Sequence, residues 1–224
     1  AARHGRIGLM DQPIIKICGV KTPDILDHVI AQGADMVGFV HFEKSPRHLP
    51  FDKIAELVSQ AGDRIETVIL LVDPDNDTVA AAVETGAKWL QLHGSEPKGR
   101  VADIRERSGL KIIKALPIGD KNDVRQVPFY RPVSDRLILD ARPPKDATRP
   151  GGLGMVFDWS LLESLDPAVR FMLSAGLDSD NVARAVRTVK PFGLDVSSGV
   201  EREKGVKDAG LISRFIASAR AAAQ

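Results

Sequence analysis

The sequence predicts a single-domain α/β protein with the fold of a (β/α)8 TIM barrel. Eight short runs of apolar and β-branched residues recur along the 224 residues. Their starts lie 22, 30, 23, 22, 25, 35 and 22 residues apart, which is too far for hairpins and leaves room for a crossover helix in each gap. No linker divides the chain, and no glycine-rich nucleotide-binding motif follows the first run. A barrel is therefore favoured over an open, doubly wound sheet.

Eight strands are predicted where these runs lie. They cover residues 14–20, 36–42, 66–72, 89–94, 111–118, 136–142, 171–177 and 193–199. Right-handed crossovers between parallel strands place all the carboxyl ends on one face of the barrel. Polar side chains near those ends are therefore the first candidates for a functional site.

The gaps between the strands carry helix signals of unequal strength. Thr22 precedes a proline, and apolar residues then follow at helical spacing as far as Gly33. Segment 120–131 is weaker, because Pro128 and the following Pro132 permit only a short helix. Amphipathic patterns predict further helices that end before Gly62, Gly86 and Gly109, and two more over 182–189 and 211–216.

The composition is that of an ordinary globular protein and excludes some classes of partner. Hydrophobic residues make up 43% of the chain, charged residues 27%, and the net charge is +1. A charge balance this even gives no field that would attract nucleic acid or an anionic membrane. The longest aliphatic run, residues 68–72, is far shorter than the roughly 20 residues that a spanning helix needs. We therefore expect a small-molecule partner held by a local site.

Cysteine and histidine usage favours a reducing compartment and no metal. Cys18 is the single cysteine, so the chain cannot form an internal disulfide, and a cytoplasmic location is expected. The histidines show no metal-ligand spacing with acidic residues or with Cys18. Residues 1–12 lack a signal-peptide pattern and are predicted to be an N-terminal extension or a remnant of cloning, with the barrel over 13–224.

Polar residues gather at the predicted strand ends. Alternation places Lys16 and Cys18 on the same face of the first strand. Burying such groups without a partner or a ligand costs on the order of 1 to 3 kcal/mol each, so this end of the barrel reads as a binding site. The polar set at the strand ends includes Lys16, Cys18, Gln91, His93, Lys114, Asp140 and Asp195.

Three glycine-containing turns follow the last strands, at 151–154, 175–177 and 197–200. Glycine lets backbone N–H groups converge on an anion, and phosphate commonly lodges among the last loops of this fold. A tight corner alone would also explain each glycine, but three on neighbouring strand ends favour phosphate. The predicted phosphate site comprises Gly152, Gly154, Gly176, Ser198 and Gly199.

Five blocks of residues recur in a specific order and spacing along the predicted strand ends. The blocks are 16–19 (Lys-Ile-Cys-Gly), 38–40 with 45–47, 90–94 (Leu-Gln-Leu-His-Gly), 139–140 with 151–159, and 195–201 (Asp-Val-Ser-Ser-Gly-Val-Glu). Each block is weak alone, but together they resemble the phosphoribosylanthranilate isomerase family over residues 14–216. The resemblance implies an Amadori rearrangement in tryptophan biosynthesis, which converts N-(5-phosphoribosyl)anthranilate to 1-(2-carboxyphenylamino)-1-deoxyribulose 5-phosphate.

The resemblance implies that Cys18 is the general base, that Asp140 is the general acid and that no cofactor is needed. It also implies that Arg47 pairs with the anthranilate carboxylate. Strands one and six are separated by two strands on the shorter way round, so Cys18 and Asp140 are expected to face each other across the barrel mouth. Lys16 is a candidate to favour the thiolate of Cys18. A monomer or a homodimer is expected.

Structural alternatives remain open for the candidate site residues. Asp195 binds substrate hydroxyls or the amino nitrogen, or instead forms an ion pair with Lys16. His93, with Gln91, lines the substrate pocket or is a satisfied core histidine. Structural alternatives are a buried hydrophobic role for Cys18, a helix cap or an Arg142 ion pair for Asp140, and a solvated surface arginine for Arg47.

Two positions depart from the family pattern, and three rival functions remain. Leu153 stands where a small hydroxyl residue is common, and Ala175 where a second glycine is common. Both changes affect the expected contacts to phosphate but leave the backbone donors. The rivals are indole-glycerol-phosphate synthase, the histidine-pathway aminoaldose isomerase and a noncatalytic phosphosugar-binding barrel.

Overall fold

Eight parallel strands close into a barrel in which each strand pairs with its neighbours in chain order and the last strand pairs with the first. The computed structural model describes residues 12–148 and 150–224. The predicted fold is therefore confirmed. The barrel strands are β1 (Ile14–Cys18), β2 (Met36–Val40), β3 (Glu66–Leu71), β4 (Trp89–Leu92), β5 (Lys111–Ile118), β6 (Arg136–Ala141), β7 (Phe171–Leu173) and β8 (Gly193–Val196).

Two apolar layers hold the barrel together. One fills its interior with side chains such as Met36, Ile113 and Met172, all of which are fully buried. The other lies between the strands and the surrounding helices, where residues such as Ile15 and Ile17 point outward from β1. Because side chains alternate along a strand, the strands are apolar on both faces and read as near-continuous hydrophobic runs.

Seven α-helices surround the barrel in the described part of the chain. Proline at the start of the first helix and the Asp75 and Asp208 caps of the third and last helices agree with the expected start signals. The helices are α1 (Pro23–Ala31), α2 (Phe51–Ala61), α3 (Asn76–Glu84), α4 (Lys98–Ser108), α5 (Lys121–Tyr130), α6 (Val182–Val189) and α7 (Ala209–Ala222).

The sixth crossover departs from the expectation of a helix in every gap. Between β6 and β7 the described residues form one 3-10 turn, Trp159–Ser164, and no α-helix. Pro143, Pro144 and the glycines of 151–154 interrupt helical geometry here. This segment instead runs across the carboxyl ends of the strands, where it forms part of the candidate site.

Helix α5 is longer than the two prolines suggested. Asp120 caps it by accepting hydrogen bonds from the backbone N–H groups of Asn122 and Asp123, and the Asp123 carboxylate accepts a hydrogen bond from the backbone N–H of Asp120. Such a capping box stabilises the first turn. Pro128 lies within the last three residues of the helix, which ends two residues after it.

Every barrel strand except β5 is shorter than its apolar run. Strands β1, β2, β4, β7 and β8 end two or more residues before the predicted limits, since the chain bends into loops that face the site. After β8, the antiparallel strands β9 (Glu201–Glu203) and β10 (Val206–Lys207) form a small second sheet.

Residues 1–11 of the predicted extension lie outside the described residues. Within the described part, no helix combines the length and apolar character needed to cross a bilayer.

Candidate active site

One cavity opens at the carboxyl ends of the strands and brings most of the predicted site residues together. Its wall contains Cys18 from the end of β1, Asp140 from β6 and Asp195 from β8. The glycine turns 151–154, 174–177 and 197–198 complete the other side of the wall. Most of the predicted site residues therefore lie together at the carboxyl ends of the strands, as the topology of a parallel barrel leads one to expect.

The thiol of Cys18 lies beside a buried ion pair. Lys16 Nζ is 2.7 Å from Asp195 Oδ1, and the two side chains are 0% and 5% exposed. The structural alternative for Asp195 is thus realised, although Asp195 also lines the cavity. Burial has the largest effect on the pKa of Lys16 and lowers it, but Asp195 and Cys18 together raise that pKa above its ordinary value. Lys16 is therefore a fixed cation next to the thiol.

Gly38 on β2 allows this arrangement. A Cβ atom at Gly38 would lie 2.9 Å from Cys18 Sγ and 3.1 Å from Lys16 Nζ, which is closer than side chains normally pack. The parallel register sets Gly38 directly opposite Cys18. A residue without a side chain is needed here so that the thiol and the ammonium group can approach each other.

Asp140 is held by its own strand end and by His93. The backbone N–H of Ala141 donates to Asp140 Oδ1 at 2.8 Å, and His93 Nε2 lies 3.2 Å from Asp140 Oδ2. Gln91 Nε2 lies 2.9 Å from His93 Nδ1, so the amide orients the imidazole from behind. His93 lines the cavity, whereas Gln91 is fully buried behind it.

The alternative partner proposed for Asp140 is occupied elsewhere. Arg142 pairs with Asp120, at 3.0 Å, and with Asp123, both at the start of α5. The structural alternative of an ion pair between Arg142 and Asp140 is therefore wrong. Asp140 points into the cavity and is 7% exposed.

Arg47 is buried at the cavity wall and is paired with a carboxylate that the sequence reasoning did not assign. Its Nε and Nη2 atoms lie 2.7 and 2.8 Å from the two oxygens of Glu201. Lys207 Nζ lies 2.8 Å from Glu201 Oε1, and all three side chains are at most 4% exposed. The view of Arg47 as a solvated surface arginine is therefore wrong.

The ionisation of this cluster follows from its burial and its charges. Burial acts to raise the pKa of Glu201, but the hydrogen bonds and charges of Arg47 and Lys207 lower it to about 2. Burial lowers the pKa of Lys207 to about 8, because the attraction of Glu201 offsets the desolvation only in part. Glu201 is therefore an anion at neutral pH, and Lys207 is still mostly a cation there.

The predicted phosphate turns converge on one side of the cavity. A Cβ atom at Gly176 would lie 2.9 Å from the carbonyl oxygens of Gly154 and Met155, so the sixth and seventh loops touch here. Ser198 begins a 3-10 turn that also lines the cavity. Gly199 packs instead against the Leu177 carbonyl, only 1.8 Å from where its Cβ would be, and is not at the wall.

The two departures from the family pattern have visible consequences. Ala175 adopts a φ of +79°, a backbone conformation that favours glycine. Leu153 is 37% exposed and contributes an apolar side chain to the cavity rim in place of a hydroxyl group. Within the described residues, no group of three or more His, Cys, Asp or Glu side chains could hold a metal ion.

Comparison with known proteins extends over nearly the whole chain. Residues 15–218 match the sequence profile of the family described as N-(5′-phosphoribosyl)anthranilate (PRA) isomerase. The N-(5′-phosphoribosyl)anthranilate isomerase of Nitrobacter hamburgensis is 52% identical over 210 residues, which are 93% of each chain. That of Afipia carboxidovorans is 49% identical over 93% of this chain and 90% of the relative.

Solved structures agree with the sequence comparison. The crystal structure of phosphoribosyl anthranilate isomerase from Thermotoga maritima superimposes with a TM-score of 0.81 at 30% identity, covering 93% of this chain and 99% of that one. A structure of the isomerase in complex with reduced 1-(o-carboxyphenylamino)-1-deoxyribulose 5-phosphate gives a TM-score of 0.79 at 29% identity, over 93% of this chain and 99% of that one. The barrel described here is therefore an isomerase that belongs to the N-(5′-phosphoribosyl)anthranilate isomerase family.

Proposed function

We propose that this chain catalyses the Amadori rearrangement of N-(5-phosphoribosyl)anthranilate to 1-(2-carboxyphenylamino)-1-deoxyribulose 5-phosphate in tryptophan biosynthesis. In this proposal Cys18 is the general base and Asp140 the general acid. One observation carries it: both side chains line the same cavity, from the ends of β1 and β6. The reaction needs an acid and a base that can reach a single sugar from different sides.

The proton transfers assign a step to each group. Asp140 donates a proton to the ring oxygen, the C–O bond at the anomeric carbon breaks, and the open chain becomes a protonated imine. Cys18 as a thiolate then takes the proton from C2, and the electron pair of that C–H bond forms the double bond of an enolamine. Tautomerisation of the enolamine yields the ketose. Carbon C1 is reduced while C2 is oxidised, so the sequence requires no external redox partner.

The environment of Cys18 suits the role of a base. A thiol acts as a nucleophile or base in its thiolate form, and a neighbouring cation stabilises that form. Lys16 supplies such a cation and is kept in place by Asp195 at 2.7 Å. Asp195, at the cavity wall, is also placed to accept a hydrogen bond from a substrate hydroxyl or from the amino nitrogen.

Binding of the substrate is assigned to two neighbouring parts of the cavity wall. Arg47 binds the aryl carboxylate, because a planar guanidinium matches the two oxygens of a carboxylate. The phosphate lodges among Gly154, Gly176 and Ser198, together with Gly152, which borders Arg47. Gly199 supports this site through its close packing on Leu177. His93 contacts Asp140, and Gln91 orients His93.

The proposed roles also bear on assembly and location. Cys18 and Asp140 belong to one chain and line one cavity, so catalysis requires no residue from a second copy in either a monomer or a homodimer. The thiol of Cys18 must stay reduced to act as a base, which is consistent with activity in the cytoplasm.

The direct test is a turnover assay with the purified chain. Phosphoribosylanthranilate is fluorescent, and its consumption is followed by the loss of that fluorescence. Conversion to the aminoketose phosphate is expected. Turnover of the substrates of indole-glycerol-phosphate synthase or of the histidine-pathway isomerase instead would replace the proposal by one of those rivals, and binding without turnover would favour a noncatalytic barrel.

A further inference from the structure

The pairing of Arg47 with Glu201 restricts how the guanidinium can be used. An arginine side chain has a side-on edge, formed by Nε and one terminal nitrogen, and an end-on edge, formed by both terminal nitrogens. Glu201 occupies the side-on edge with contacts of 2.7 and 2.8 Å. Nη1 lies 3.5 Å from the carbonyl oxygen of Gly152, which lines the cavity. The end-on edge is therefore the one presented to a ligand.

We propose that Glu201 and Lys207 are positioning residues for substrate binding, with Glu201 aiming the end-on edge of Arg47 at the aryl carboxylate and Lys207 restoring the positive charge that Glu201 removes. This inference rests on the proposed function, since it takes Arg47 as the carboxylate-binding residue. Neither side chain is among the residues that line the cavity. Both act through Arg47.

Two glycines pack closely against Arg47. A Cβ atom at Gly19 would lie 2.5 Å from Arg47 Cδ, and one at Gly152 would lie 2.6 Å from Nη1. The arginine thus runs between two glycines, where any larger residue would displace it. A side chain immobilised before binding loses little conformational entropy when the ligand arrives.

The hairpin β9–β10 holds Glu201 in turn. The backbone N–H of Gly205 donates to Glu201 Oε2 at 3.1 Å. A Cβ atom at Gly205 would lie 2.5 Å from the carbonyl oxygen of Pro46, so the hairpin turn packs directly against the loop that carries Arg47. Lys21 Nζ contacts the same carbonyl oxygen at 3.1 Å. The hairpin therefore holds Glu201 in place and packs against the loop that carries Arg47.

Charge explains why the cluster has a third member. An isolated Arg47–Glu201 pair is neutral and would attract a carboxylate only weakly, because the negative charge of Glu201 opposes it. Lys207 Nζ, 2.8 Å from Glu201 Oε1, brings the cluster to a net charge of +1. Lys207 is itself fixed by the carbonyl oxygen and the hydroxyl group of Ser197, at 2.8 and 3.2 Å. One positive charge thus remains for the substrate.

The test uses two inhibitors that differ by the carboxylate alone. They are reduced 1-(2-carboxyphenylamino)-1-deoxyribulose 5-phosphate and its phenylamino counterpart. The first variant is Lys207→Met, which makes the Arg47–Glu201–Lys207 cluster neutral. The second is the double variant Glu201→Gln/Lys207→Met, which keeps the net charge at +1 but removes the carboxylate that orients Arg47. Glu203→Gln/Lys204→Met, two exposed residues of the same hairpin, is the matched control.

We expect Lys207→Met and the double variant each to weaken the carboxylated inhibitor at least about tenfold, as expected when a charged hydrogen-bonding group is lost. The affinity for the phenylamino inhibitor should change less than about threefold. The control should behave as the wild type. A merely structural defect would weaken both inhibitors alike, so equal losses would overturn the inference.

Two further outcomes distinguish the orientation of Arg47, the net charge of the cluster and the proposed role of Arg47 itself. If the double variant binds the carboxylated inhibitor within about twofold of the wild type, net charge alone matters and the positioning role of Glu201 is wrong. Arg47→Ala is measured in parallel. If Arg47→Ala leaves the affinity unchanged, both the inference and the proposed role of Arg47 fall. If it weakens binding while the hairpin variants do not, the inference alone falls.

Discussion

His93 Nε2 lies 3.2 Å from Asp140 Oδ2, while the other oxygen of Asp140 accepts the backbone N–H of Ala141. Both oxygens of the carboxyl group thus have a contact, and these contacts orient the group at the cavity wall. Gln91 holds His93 from behind at 2.9 Å. The proposed acid is positioned by a chain of side chains that begins in the barrel interior.

Loss of His93 should slow the reaction through Asp140. We expect His93→Ala to reduce kcat about tenfold or more, because Asp140 loses one of the two contacts that orient it. Steady-state kinetics and inorganic phosphate binding are the measurements, and phosphate affinity should not change. His28→Ala serves as the control, since His28 contacts Ser213 between α1 and α7. An unchanged kcat in His93→Ala would separate this residue from the acid.

Removal of either proposed catalytic group should abolish most of the turnover. Cys18→Ala and Asp140→Asn should each lower kcat at least about 100-fold, the low end for a general acid or base. Circular dichroism and thermal melting should show folded proteins. A variant that keeps the wild-type kcat would remove its residue from the mechanism.

A methyl group on Gly38 should disturb the thiol. Its Cβ would lie 2.9 Å from Cys18 Sγ and 3.1 Å from Lys16 Nζ, so Gly38→Ala must displace one of them. We expect kcat to fall about tenfold or more. Gly99→Ala is the matched control, because a Cβ at Gly99, in α4, meets nothing within 4 Å. Equal kinetics for the two variants would show that the close approach of these groups is unimportant.

The Lys16–Asp195 pair should matter for stability far more than a surface pair. Lys16→Met leaves a buried carboxylate without its cation and should lower the free energy of unfolding by about 3 to 5 kcal/mol. Lys53→Met removes an exposed pair with Glu56 and should leave the free energy of unfolding close to that of the wild type, because solvent screens exposed charges. Urea denaturation measures both. Similar losses would mean that Asp195 is not stabilised mainly by Lys16.

Lys207 should give stability a distinct dependence on alkaline pH. Its pKa is about 8 when folded against an ordinary 10.5, so between these values the unfolded chain binds more protons. The contribution of Lys207 to the free energy of unfolding therefore rises as the pH increases from about 8 to 10.5. The groups facing it are Glu201, Arg47 and Cys18. The free energy of unfolding, measured by urea denaturation and plotted against pH, should rise more steeply over this window for the wild type than for Lys207→Met. Parallel plots would contradict the lowered pKa of Lys207.

The fold and the grouping of the candidate site residues could be predicted from the sequence because both depend on local patterns. Apolar runs at regular spacing predict parallel strands, and alternation along β1 put Lys16 and Cys18 on one face. Asp140 and the glycine turns were then found by reading strand ends. These inferences need no knowledge of distances between elements.

The remaining features depend on contacts that no local pattern encodes. The choice between a substrate role and a Lys16 pair for Asp195 required their separation across the first and last strands. The hairpin that holds Glu201 and Lys207 is too short and too polar for strand periodicity to reveal. The position of Glu201, directly after a cavity-facing glycine turn, was the one available signal.

The pairing of β1 with β8 joins the first and last strands of the barrel at the proposed site. Lys16 and Asp195 are 179 residues apart in the chain, so the cation beside the thiol meets its counterion only where these two strands lie side by side. A contact between such distant residues is of the kind that slows folding. The charge balance next to the thiol therefore depends on closure of the whole barrel.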